Sequence, residues 1–176
     1  MKKLFSVFAL LLALCCLVSC GKGGNNAAYE EAEIPEGSLA LYVSDVTAKP
    51  GEKVTVTVSL AHNLGINGFS FCLVPPDGFP VSDEKIVMVD DAYSFVKRLP
   101  EDEGKGINFA WTSLTACKDD RVIAQMDVTV PEGTAPGAYE VRLDFRPNYD
   151  CFYPIAADNS MPHYDVVPFH GTITVE

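Results

Sequence analysis

The residues of this 176-residue chain that could do chemistry are its histidines, cysteines and clustered carboxylates. His62, His163 and His170 stand outside any nucleophile or metalloprotease motif, and Ser113 lacks a G-x-S-x-G elbow. Asp90-Asp91, Glu101-Asp102-Glu103 and Asp119-Asp120 supply carboxylates. Calcium takes about six to eight oxygens in a tight loop, and none of these runs has EF-hand spacing. They read as solvated loop charge. Glycosidase chemistry needs two separated carboxylates at a set distance, which spacing in sequence does not report. No Cys-x-x-Cys or Cys/His pair has the spacing of a zinc site. The pattern is that of a non-enzyme, with no catalytic residues, no metal and no cofactor.

Thirteen Lys+Arg against 24 Asp+Glu leave a formal charge of −11 on a chain that is 48% hydrophobic. That apolar content excludes a disordered acidic tail. The sign of the charge excludes a nucleic-acid binder working through a basic face. Lys2 and Lys3 precede an almost wholly apolar run, Leu4 to Val18, closed by Ser19-Cys20-Gly21. The run is shorter than the roughly 20 residues of a membrane span and fits a cleaved secretory signal. Its ending, Leu17-Val18-Ser19-Cys20, resembles the bacterial lipobox, whose cysteine is lipidated and becomes the mature N-terminus. An ordinary signal peptide cut nearby is the alternative.

The lipobox resemblance implies an exported lipoprotein at the cell membrane or cell surface, with residues 1–19 as signal and Cys20 as the lipidated residue. Loss of 1–19 removes two lysines and no acid, so the charge becomes 11 − 24 = −13. Anionic headgroups repel such a surface, and the lipid alone would hold the protein. Cys72, Cys117 and Cys151 then remain, enough for at most one intramolecular disulfide whose pairing stays open.

The elements that must position any binding surface begin near Ser38. Residues 20–37 have no apolar period and read as a flexible tether with a reach of about 20–25 Å. From 38 to 176 the chain alternates. Val54, Val56, Val58 and Leu60 alternate with Thr55, Thr57 and Ser59, and Phe69, Phe71 and Leu73 with Ser70 and Cys72. Ile107, Phe109 and Trp111, then Val141, Leu143 and Phe145, repeat the pattern, placing Phe71, Phe109, Trp111, Val141 and Leu143 in a core. Lys49-Pro50-Gly51-Glu52, Pro75-Pro76-Asp77-Gly78 and Pro136-Gly137 supply turns. Asp83–Leu99 alone lacks Pro and Gly for long enough to hold a helix. There Ile86-Val87-Met88-Val89 reads as strand, and Asp90–Val96 leaves room for a helical turn. The class is all-β, an antiparallel β-sandwich.

Pro50-Gly51-Glu52-Lys53-Val54-Thr55-Val56, followed by Gly65-Ile66-Asn67-Gly68-Phe69-Ser70-Phe71, resembles the opening of a cohesin domain. Val128, Ala135-Pro136-Gly137-Ala138-Tyr139-Glu140-Val141 and the terminal Gly171-Thr172-Ile173-Thr174-Val175 agree with it in order. The resemblance spans roughly 38–176 and implies a jelly roll of about nine strands. Cohesins bind dockerins, calcium-loaded helical modules, and the calcium belongs to the dockerin. The docking face would be built from strands corresponding to 66–74, 86–91, 106–112 and 139–145. Its outward positions, by alternation, include Gly68 and Ala110 together with the partner-binding candidates Ser70, Asn108, Glu140, Arg142 and Asp144. The chain departs from the family pattern at Gly68 and Ser70, where Asn or Asp is usual. It departs again at Pro75-Pro76-Asp77, in place of Tyr-Asp-Pro.

Two functions fit. One is a surface-anchored module holding a dockerin-like protein partner in polysaccharide degradation. The other is a lipoprotein that binds glycan directly through Tyr149, Phe152, Tyr153 and Tyr164 in the long segment 146–170. A connection of that length is more often functional than a short turn, or else is a flap over an open sheet edge.

Overall fold

The computed structural model describes residues 33–88, 93–99, 106–146 and 148–176. The signal 1–19, Cys20 and the tether as far as residue 32 lie outside the described residues. So do Asp90-Asp91 and Glu101-Asp102-Glu103.

Alternation becomes strand along the chain: β1 (Ser38–Val43), β2 (Val46–Ala48), β3 (Lys53–Ala61), β4 (Ile66–Val74), β5 (Val81–Ile86) and β6 (Tyr93–Arg98). Then follow β7 (Ile107–Cys117), β8 (Arg121–Thr129), β9 (Gly137–Asp144), β10 (Cys151–Tyr153), β11 (Asp165–Phe169) and β12 (Gly171–Val175). Five strands form one sheet in the order β11-β1-β3-β8-β5. The other runs β2-β12-β9-β4-β7-β6, with β10 also on β4. Twelve strands stand where nine were expected, because three strands are interrupted and each interruption adds one. The first strand crosses between sheets at Ser44-Asp45, splitting into β1 and β2. The last crosses at His170, splitting into β11 and β12, and the third interruption separates β9 from β10.

The two crossings touch. A Cβ on Gly171 would come within 2.6 Å of the Ser44 carbonyl oxygen and 2.7 Å of Val43 Cγ1, so this position takes only glycine. The core between the sheets contains Phe71, Phe109, Trp111, Val141 and Leu143, as the alternation predicted. Phe69 lies 5.7 Å from Trp111 between ring centroids, and Phe71 lies 5.5 Å from Phe109.

The room left for a helical turn at Asp90–Val96 is corrected. Tyr93 to Val96 are strand, within a run paired to β7 from Tyr93↔Thr112 to Arg98↔Ile107. Propensity gives way to a partner strand that satisfies the backbone groups. Residues 90–92 lie outside the described residues. Arg98 then ties this edge to the opposite sheet, with Nε donating to Glu84 Oε1 at 3.0 Å and Nη2 to Oε2 at 2.9 Å.

Candidate functional site

The seven-stranded sheet turns one face to the core and one outward, and register fixes which residues look out. On β4 these are Gly68, Ser70 and Cys72; opposite them on β7 stand Thr112, Ala110 and Asn108. On β6, Tyr93, Phe95 and Lys97 continue the same three rows. On the far side of β4, β9 places Asp144 opposite Cys72 and Arg142 opposite Val74. β10 places Cys151 opposite Ser70 and Tyr153 opposite Gly68.

β9 and β10 are one strand with an excursion. From Asp144 to Cys151 the chain takes seven steps while β4 takes two, from Cys72 to Ser70. The described part of the excess, residues 145–146 and 148–150, folds back over the outward face. Asp150 is its centre, with a side chain that is 0% exposed. The Ser70 hydroxyl donates to Asp150 Oδ1 at 2.8 Å, and Asn108 Nδ2 donates to Ser70 Oγ and to the Phe71 carbonyl, each at 3.1 Å. Arg146 grips the same carboxylate by its fork, Nε to Oδ2 and Nη2 to Oδ1 at 2.9 Å each, and by its backbone N–H at 2.8 Å. Burial opposes ionisation of Asp150. The Arg146 side chain, its N–H and the Ser70 hydroxyl outweigh that and hold the carboxyl below its ordinary range. Burial, with the Asp150 charge beside it, pushes the Cys72 thiol up to about 11. Cys72, Cys117 and Cys151 are all unbridged thiols.

The partner-binding candidates therefore divide. Glu140 and Arg142 are exposed and Asp144 half-buried. Ser70 and Asn108 look outward but are not open contacts, since Ser70 is half-buried and Asn108 is 5% exposed beneath the Asp150 excursion. The expectation of an uncovered polar face at these two positions is corrected. Alternation gave their direction, and a non-local loop covers them. Asp119-Asp120 organises a loop, with Asp120 Oδ1 accepting from the Asn63 N–H at 2.9 Å.

The glycan-binding candidates divide as well. Tyr149 is exposed, with the Arg146 guanidinium 5.6 Å from its ring centroid. Phe152 is corrected to core. Its register opposite Phe69 turns it inward, fully buried, with the two ring centroids 5.5 Å apart. Tyr164 is half-buried against the core, and its hydroxyl donates to the Gly65 carbonyl at 3.3 Å. Tyr153 crosses the outward face, its ring seated on Gly68, where any Cβ would collide with it, and its hydroxyl donates to Thr112 Oγ1 at 2.9 Å. The long segment 146–170 is thus a flap: β10 completes the edge of β4, and β11 runs parallel to β1.

No protein-family model matches the sequence, and neither does any curated protein. Among solved structures, the chain is similar to the seventh ScaB type I cohesin of Pseudobacteroides cellulosolvens. That match has a TM-score of 0.64 and 20% identity over 79% of this chain and 92% of that one. A similar match, TM-score 0.64 at 18% identity over 83% and 98%, is to the OlpC cohesin–Doc435 dockerin complex of Clostridium thermocellum. The non-cellulosomal cohesin of the archaeon Archaeoglobus fulgidus gives 0.59 at 15% identity, over 79% and 91%. The fold is that of a cohesin.

Within this cohesin fold, three of the four expected face strands are β4, β7 and β9. The fourth is not 86–91. Ile86 ends β5 in the other sheet, and β6 takes the place beside β7. Sequence reasoning thus missed Tyr93 and Phe95, 71% and 42% exposed on the outward face. It missed Arg146 and Asp150 too. The signal for β6 was the Tyr93-Ser94-Phe95-Val96 alternation itself, overlooked because it lay in the segment offered to a helical turn.

Proposed function

We propose that the folded unit is a non-catalytic, cohesin-like binding module that holds a dockerin-like protein partner through the outward face of the β6-β7-β4-β9 sheet. A lipid on Cys20 would carry it at the cell surface, where such a module serves polysaccharide degradation. The observation that carries the reading is a sheet face covered over β4 but exposed at Tyr93 and Phe95 on β6 and at Glu140 and Arg142 on β9, on a fold whose neighbours include cohesins crystallised with dockerins. Direct glycan binding by the long segment has lost its aromatic row, since Phe152 is core and Tyr164 packs against it.

The test is capture by the full chain from the secreted proteins of the source organism, with and without a calcium chelator. A dockerin-like partner binds with calcium and is released by chelation. Retention of soluble polysaccharide with no protein, or of neither, overturns the reading.

A further inference from the structure

We infer that His170 is a pH-sensitive latch at the place where the last strand changes sheets. Its neutral imidazole takes a backbone N–H that the crossing leaves without a ladder partner, and protonation lets that N–H go. Nothing in this latch depends on which partner the module holds.

The need for a latch comes from the crossing itself. β12 pairs with β9 from Val175↔Gly137 up to Gly171↔Val141. In an antiparallel pair every second residue turns its N–H and carbonyl to the same neighbour, so Leu143 is next after Val141 on that edge of β9. Its ladder partner on an unbroken strand would be Phe169. Phe169, however, belongs to the other sheet, opposite Tyr42 on β1. The Leu143 N–H is thus an orphan of the crossing, on a residue only 3% exposed. A buried donor with no acceptor is costly. The His170 side chain supplies the acceptor, with the Leu143 N–H donating to Nδ1 at 3.2 Å.

A backbone N–H can only donate, so this bond requires a bare Nδ1 and leaves the ring N–H on Nε2. On protonation both ring nitrogens become donors, and Nδ1–H would point at the Leu143 N–H. Imidazole is the side chain whose ordinary titration falls between about pH 5 and 8. The bond is therefore made on the alkaline side of that range and lost on the acid side. The charged groups on the neighbouring elements are few. Arg142 and Asp144 flank Leu143 on β9, and Asp45 stands between β1 and β2. Asp165 lies at the far end of β11, and β1, β2, β4 and β12 hold no charged residue. Asp45 Oδ1 is engaged by the Thr172 N–H at 2.8 Å. Among the described residues, His170 makes no ion pair and no second hydrogen bond.

Position gives the latch its reach. Leu143 is the last buried residue of β9 before the chain turns into the excursion that Asp150 clasps from its other end. Two titratable groups therefore bracket the excursion, a histidine at its root and an aspartate over the sheet. Acid releases them in that order, His170 within the imidazole range and Asp150 only below about pH 4.

The test follows hydrogen exchange of the Leu143 amide by NMR in the isotope-labelled full chain, corrected for the intrinsic effect of pH, at about pH 8 and about pH 5. Expected on acidification is a loss of protection at Leu143 of at least about tenfold, with Val141 changing by less than about twofold. His170→Asn places an oxygen acceptor near the Nδ1 position whatever the pH, and should keep Leu143 protected under both conditions. His170→Ala, at an exposed side chain, should leave it unprotected under both. Equal protection of Leu143 in the parent at the two pH values overturns the latch. So does a fall in His170→Asn as large as in the parent, which places the acid response elsewhere. Capture of a protein partner is a separate measurement that none of these outcomes touches.

Discussion

Asp150 is the residue on which the outward face depends. Its buried carboxylate satisfies Arg146 and Ser70 together and lies 3.4 Å from the Asn108 amide. Asp150→Ala leaves those groups without their acceptor and should cost roughly 2–4 kcal/mol, read as a lower urea midpoint at unchanged slope. Phe109→Ala empties a fully buried site between the sheets and should cost roughly 3–5 kcal/mol by the same measurement. Cys72 should resist iodoacetamide at pH 8 in the native protein and react once unfolded, because a buried thiol with a pKa near 11 holds almost no thiolate. Mass spectrometry of the labelled peptides checks this. Phe71, Phe109 and Trp111 were legible because inward residues of a strand repeat every second position. Asp150 was not. Its partners Ser70 and Asn108 lie 80 and 42 residues away in sequence, and no local period encodes such a meeting.

At the scale of elements, the excursion between β9 and β10 is held by one ionised carboxylate and is therefore sensitive to acid. Asp150 is depressed in the folded state, so its contribution is present above the unfolded value of about 4 and is lost as pH falls through the lower folded value. Hydrogen exchange over 146–150 should stay slow at pH 5 and accelerate below about pH 4, ahead of β4 and β7. Uniform protection down to global unfolding would deny the excursion a separate opening. The strands themselves were legible to within a few residues wherever alternation met turn residues, as in β3 and β4. β6 and the splitting of the terminal strands were not. A strand edge and a sheet crossing are decided by which neighbour supplies hydrogen bonds, and composition is silent on that.

At the scale of the whole molecule, the proposed lipid on Cys20 is open to a direct test. Cys20→Ser should move the protein from the membrane fraction to the soluble fraction, scored by immunoblot after fractionation. A protein retained in the membrane with its signal uncleaved would refute the lipobox reading. Circular dichroism of the released protein should be dominated by strand. Were the fold held from its N-terminal side, as proposed, the pairing of β1 would decide how it bears load. β1 is not an edge: β11 lies along one side through five paired positions and β3 along the other through four. Tension drawn on the chain ahead of Ser38 would pull β1 along its own axis, across the direction of both sets of hydrogen bonds. Those bonds then share the force at once, in shear, rather than opening one by one like a zip. A fold loaded this way would yield at a force set by the pairing of its first strand.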